Sequence, residues 1–154
     1  MVDGAGSTWT NAAWLTIGYT GTGTLNILNG GSVSNTYADI GFDVGSTGTV
    51  TVDGTDSTWT NSQWLAVGQY GNGTLNIQNG GTVSNIVTHI GSSTGSTGLV
   101  TVDGMGSNWT NLSWFYIGLS GDGTLNVRNG GTVANYQAFI GHDAGGIGTA
   151  TVDG

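Results

Sequence analysis

A period of 25 residues nested inside one of 50 is the feature that most restricts what this chain can become. Gly23 to Thr47 reads G-T-L-N-I-L-N-G-G-S-V-S-N-T-Y-A-D-I-G-F-D-V-G-S-T, and Gly48 to Asn72 reads G-T-V-T-V-D-G-T-D-S-T-W-T-N-S-Q-W-L-A-V-G-Q-Y-G-N. Both halves open on Gly-Thr, alternate apolar with polar residues, turn, reach an Asn and close on an apolar residue followed by Gly. Further units occupy 73–97, 98–122 and 123–147, with a partial unit at 2–22 and a fragment at 148–154. A unit this small cannot enclose a core of its own and must stack on its neighbours. The spacing therefore predicts one domain over 1–154, with double-turn repeats starting near Val2, Val52 and Val102.

Three segments of each unit carry the period-2 alternation of a strand with one buried face. Leu25 and Ile27 oppose Thr24 and Asn26; Val33 or Trp59 stands between hydroxyl residues; Ala38 and Ile40 oppose Tyr37 and Asp39, as Leu65 and Val67 oppose Trp64 and Ala66. Asn29-Gly30-Gly31 and Asp53-Gly54 supply bends between the first two segments. Frequent Gly and abundant β-branched residues argue against helix. The 25-residue half-period and only three double copies argue against a closed propeller. The predicted fold is all-β: a single-stranded parallel β-helix of about six turns, about 25 residues and three short strands per turn.

Stacking turns equivalent residues into columns about 4.8 Å apart. Asn11, Asn35, Asn61, Asn85, Asn111 and Asn135 form one inward column. Buried amides need partners, and a stack of them can bond along the axis as a ladder; a ligand-binding row is the functional alternative. Gly18, Gly41, Gly68, Gly91, Gly118 and Gly141 end the third strand of every turn, where a bend explains them better than a phosphate loop, which needs a helix behind it. Trp9, Trp59 and Trp109 alternate with Val33, Val83 and Val133 as core filling. Parity throws Trp14, Trp64 and Trp114 outward, because Leu15 and Ile17 already claim the inward phase. With Tyr37, Tyr116 and Phe139 they predict an aromatic ribbon on one face, a candidate surface for a glycan or protein. The competing reading is that these rings fold over a bend or lie under a loop.

Composition removes several function classes. Nine acidic residues, all Asp, face a single cation, Arg128, for a net charge of -8. One Arg cannot make a phosphate-binding surface, so nucleic acid is not an expected partner, and neither is an anionic membrane. No apolar run approaches the roughly 20 residues of a spanning helix. The absence of Cys removes disulfides and thiolate metal sites. Asp3, Asp53, Asp103 and Asp153 recur only every second turn and precede Gly, where a turn accounts for them; Asp43 and Asp143 lie four turns apart. His89 and His142 lack a second His at ligand spacing, and Asp143 beside His142 is a single adjacent pair. No enzyme activity, metal or cofactor is expected.

The runs G-T-V-T-V-D-G-x-x-S-x-W-T-N, W-L-x-V-G and G-T-L-N-I-x-N-G-G-x-V-S-N resemble the type V secretion and PEP-CTERM-associated repeat of bacterial autotransporter passengers. The resemblance covers Val2 to Gly154; Leu99 in place of Thr and Ala150 in place of Val are its departures. It implies a parallel β-helix stalk, exported and displayed at the outer-membrane surface or secreted, that presents or contributes to adhesion, and it carries no catalytic residues; a host surface glycan or protein is the partner expected of the aromatic ribbon. Met1 leads directly into Val2-Asp3-Gly4, the phase of Val52-Asp53-Gly54, so no signal peptide is read here, and the chain reads as an excerpt of a longer array. The outward Thr of the first strands, Thr24, Thr49, Thr74, Thr124 and Thr149, raise an ice-binding array as a further alternative, broken at Leu99. Two uncapped ends at one phase predict head-to-tail self-association.

Overall fold

Alternation in the first strand of each unit produces one unslipped sheet. In the computed structural model, which describes residues 1–154, seven parallel strands follow one another from Val2–Asp3 through Thr22–Leu28, Thr47–Asp53, Asn72–Gln78, Thr97–Asp103 and Asp122–Arg128 to Ile147–Asp153. Leu25 pairs with Val50, Val50 with Leu75, Leu75 with Val100 and Val100 with Leu125, so the register is 25 at every step. The side chains of that column are buried, and the Thr and Asn residues between them face out.

The second and third strands of each turn belong to another parallel sheet, folded along its middle into two faces. Ser32–Asn35, Thr58–Asn61 and Thr82–Asn85 make the second face, and Trp14–Ile17, Tyr37–Ile40, Trp64–Val67 and Val87–Ile90 the third. The result is the predicted β-solenoid, with no helix. In the last two turns the second and third strands run together as Asn108–Ile117 and Thr132–Ile140, so those turns have two strands in place of three. The register shift between Asn111 and Trp114 marks the corner, which is a bulge in a continuous strand; Ser113 N–H donates to Asn111 Oδ1 at 3.0 Å and holds the bulge.

The two half-repeats keep one overall pitch by unequal corners. Val33 pairs with Trp59, 26 residues on, while Trp59 pairs with Val83, 24 residues on. On the third face the offsets are 27 for Ala38 to Leu65 and 23 for Trp64 to Val87. A Trp-bearing turn thus takes one extra residue at each of its first two corners and gives both back at the third. Longer corners leave room for the buried indoles of Trp59 and Trp109, whose neighbours in the alternate turns are the smaller Val33, Val83 and Val133. The inward residues of all three faces form one core cluster of 23 buried side chains along the axis.

Two glycine columns close the third corner. Gly41 has φ of +73°, and a Cβ there would stand 2.2 Å from the carbonyl oxygen of Asn72. Gly48, which opens its unit, would put a Cβ 2.2 Å from Ile17 O and 2.5 Å from Gly41 N. The Gly that starts each unit is therefore a packing requirement, since backbone meets backbone there with no space for a side chain.

Candidate functional site

Leu15 and Ile17 are buried in the core, and Trp14, one residue before that pair, is half exposed. The same parity repeats at Trp64-Leu65 and Trp114-Phe115, where Leu65 and Phe115 are buried, Trp114 is half exposed and Trp64 is partly covered. The six candidate aromatics come together as a continuous strip on the outside of the third face. Trp14 stacks on Tyr37 at 4.7 Å between centroids and meets Trp64 edge-on at 5.7 Å; Trp114 meets Tyr116 at 6.4 Å, and Tyr116 stacks on Phe139 at 5.0 Å. His89 links the two groups, 5.4 Å from the Trp64 ring and 5.2 Å from that of Tyr116. Spacings and angles of this kind are those favoured by ring quadrupoles.

The strip is not flat. Val87 pairs with Trp64 and lies level with Trp114 in the following turn, so a small side chain separates two indoles. Above it an open groove of about 380 Å³ is lined by Tyr37, Trp64, Val87, His89, Trp114 and Tyr116, together with Gln63 and Leu119. A second aromatic group, Tyr19 stacked on Phe42 at 5.0 Å with Tyr70 at 5.8 Å, runs along the neighbouring corner. It escaped the sequence reading, although Tyr19 and Phe42 both directly follow a glycine of the third-strand column.

Between these groups lies Asp39, at an outward phase but fully buried. Its strand neighbours are Thr16 and Ala66, and neither carboxylate oxygen has a hydrogen-bond partner. Trp64 Nε1, a donor, and Gln69 Oε1, an acceptor, are buried without partners as well. Burial raises the Asp39 pKa to about 7 and pushes that of His89 below its ordinary value. No cation relieves Asp39: the single Arg128 bonds Asp103 at 3.1 Å on the first sheet. Asp103 is held below the usual carboxylate range by Asn129 and then by Arg128; Asp143 is held down by Ser120 and His142.

The inward Asn residues do a different job from a continuous ladder. Asn35, Asn61, Asn85 and Asn111 are buried, but Asn11 and Asn135, in the end turns, are not. Only one Asn-to-Asn bond joins them, Asn35 Nδ2 donating to Asn61 Oδ1 at 2.6 Å. Asn35 Oδ1 accepts from Trp59 Nε1 and Asn85 Oδ1 from Trp109 Nε1, each at 2.8 Å. Their amide groups also donate to the carbonyls of Tyr37 and Val87 at the second corner, and Asn111 and Asn11 donate to those of Trp114 and Trp14. Each buried indole is thus satisfied by the Asn of the preceding turn.

On the first face the Thr24, Thr49 and Thr74 column stands in register, and Leu99, 40% exposed, interrupts it before Thr124. His142 Nδ1 lies 2.8 Å from Asp143 Oδ1 at the end of the aromatic strip. No family model matches the chain, and no match is found among curated proteins or among solved structures.

Proposed function

We propose that the chain is a rigid stalk segment of a bacterial surface-displayed or secreted protein of the autotransporter-passenger kind, and that its aromatic strip is a surface through which it contributes to adhesion. One observation carries this reading: an unbroken column of hydrogen-bonded turns holds Trp14, Trp64 and Trp114 outside the core, when the same fold buries Trp59 and Trp109 completely. Large rings left half in water lose the stabilisation that burial would give, about 25 cal/mol per Å² of apolar surface, and a partner that covers them restores it. The solenoid suits a stalk because each turn is braced only by its neighbours, so length is extended by adding turns.

The test has two parts. Antibody raised against the chain should label intact cells of the source organism, and protease added outside should remove the label. On an array of glycans and host extracellular proteins, the folded chain should bind at least one class, and the Trp14→Ala/Trp64→Ala/Trp114→Ala variant should lose that binding with an unchanged circular dichroism spectrum. Purely internal antigen, or binding indifferent to the three substitutions, would remove the proposal.

A further inference from the structure

We infer that the groove over Val87 is a binding site for a quaternary or trimethylated ammonium group. The inference rests on the reading of the aromatic strip as a contact surface and gives that surface a ligand class. Trp64 and Trp114 stand two strands apart, roughly 9.6 Å at the usual strand spacing. A group seated over Val87 then lies one strand, about 4.8 Å at the usual spacing, from the strand that carries Trp64 and one from the strand that carries Trp114, a span comparable with the roughly 6 Å over which a cation is attracted to an aromatic ring. His89 and Tyr116 close one flank, edge-to-face with each other, and Tyr37 stands beyond Trp64 at 6.5 Å.

The polar inventory of the groove selects among occupants. Besides the rings it offers the Gln63 amide, the His89 imidazole and the phenols of Tyr37 and Tyr116, while Val87 and Leu119 add only carbon. A sugar ring brings several hydroxyls, and each one that leaves water without a new partner is penalised. A primary ammonium has three donors to satisfy. A trimethylated nitrogen has no N–H at all, and its charge is spread over methyl groups that pack against π faces. It alone of the three matches a wall of rings with few acceptors.

Charge points the same way. The chain has a net charge of -8, its only Lys or Arg is Arg128, engaged with Asp103 on another face, and no basic side chain lines the groove other than His89. Burial disfavours the charged form of His89, so the ring adds no positive charge at neutral pH. The rings that line the groove are therefore free of an internal cation.

Choline and tetramethylammonium chloride, titrated into the folded chain and followed by indole fluorescence and by the NMR signals of His89, should bind saturably. The neutral carbon isostere of choline, 3,3-dimethylbutan-1-ol, should bind at least ten-fold more weakly, equivalent to about 1.4 kcal/mol. Trp114→Ala should weaken choline at least ten-fold; Tyr19→Ala, in the other aromatic group, should leave it unchanged. Phosphatidylcholine vesicles and a trimethyl-lysine peptide separate a lipid headgroup from a modified protein as the natural source, with phosphatidylglycerol vesicles and the unmodified peptide as blanks. Equal binding of the isostere, or choline binding that survives Trp114→Ala, overturns the inference. If the chain binds glycans or host proteins through its Trp residues while no ammonium probe binds, the inference falls and the adhesive reading stands.

Discussion

Asp39 should make the stability of this solenoid fall as pH rises from about 4 to about 7, the reverse of the usual behaviour of a paired carboxylate. Its folded pKa is about 7 against 3.8 for an ordinary Asp carboxyl, and the cause is burial. Between those two values the folded state holds a proton that the unfolded chain releases. The contribution is therefore fully present below about pH 3.8, declines across the window and is gone above about 7. At about 1.36 kcal/mol per pH unit the full effect is on the order of 4 kcal/mol. Asp39→Asn keeps the shape and removes the titration, so the difference between variant and parent isolates this one group from the other eight Asp residues. Urea denaturation followed by Trp fluorescence at pH 4, 6 and 8 should show similar stability for the two proteins at pH 4 and a variant more stable by several kcal/mol at pH 8. A difference that stays constant across the three pH values would refute the assignment of a buried, unpartnered carboxyl.

Trp59→Ala should destabilise by roughly 3–5 kcal/mol, more than Trp9→Ala, because Trp59 is fully buried and Trp9 is 43% exposed; Trp59→Phe keeps most of the volume and isolates the bond to Asn35, and equal effects at positions 9 and 59 in urea denaturation would contradict the inward packing. Gly48→Ala should be strongly destabilising or prevent folding because its Cβ meets backbone, whereas Gly21→Ala, with nothing within 4 Å, should shift the thermal midpoint little; similar midpoints for both would show that the third corner can open. The chain should also associate head to tail at high concentration, since Ile140 and Val152 in the last turn and Trp9 in the first are exposed beside unpaired strand edges; sedimentation that gives a monomer at every concentration would count against it.

Periodicity made most of the fold legible because in a solenoid phase determines direction. Leu25, Val33 and Ala38 had to point inward once their turns were aligned, and the burial of all three follows from the alternation. The compensating corners were legible only in part. The Asn column already stepped by 24 and 26, but the 23 and 27 steps of the third face depend on where strands pair across the second corner, and short polar bends such as Asn61-Ser62-Gln63 leave that open. The same gap hid the merging of strands at Asn111 to Trp114, since a bulge and a break have the same composition.

The site was legible as a direction and not as an environment. Outward parity put Trp14, Trp64 and Trp114 on the surface, yet it put Asp39 there as well, and Asp39 is buried. The reason lies in what stacks beside it. Ala66, the next residue up the column, has no bulk, and the short carboxylate stands between two columns of long rings, Trp14, Tyr37 and Trp64 on one side and Tyr19, Phe42 and Tyr70 on the other. Two turns further along, the flanking column itself carries the small residue, Val87, while His89 occupies the phase of Asp39, and there the rings of Trp64 and Trp114 stand apart and leave a groove. One exchange of large and small between neighbouring columns thus converts a covered acid into an open aromatic slot. Substituting Trp at Val87 should close that slot and abolish choline binding without disturbing the ladder beneath it, because Val87 projects from the outer face and the inward column at that level is held by Thr88.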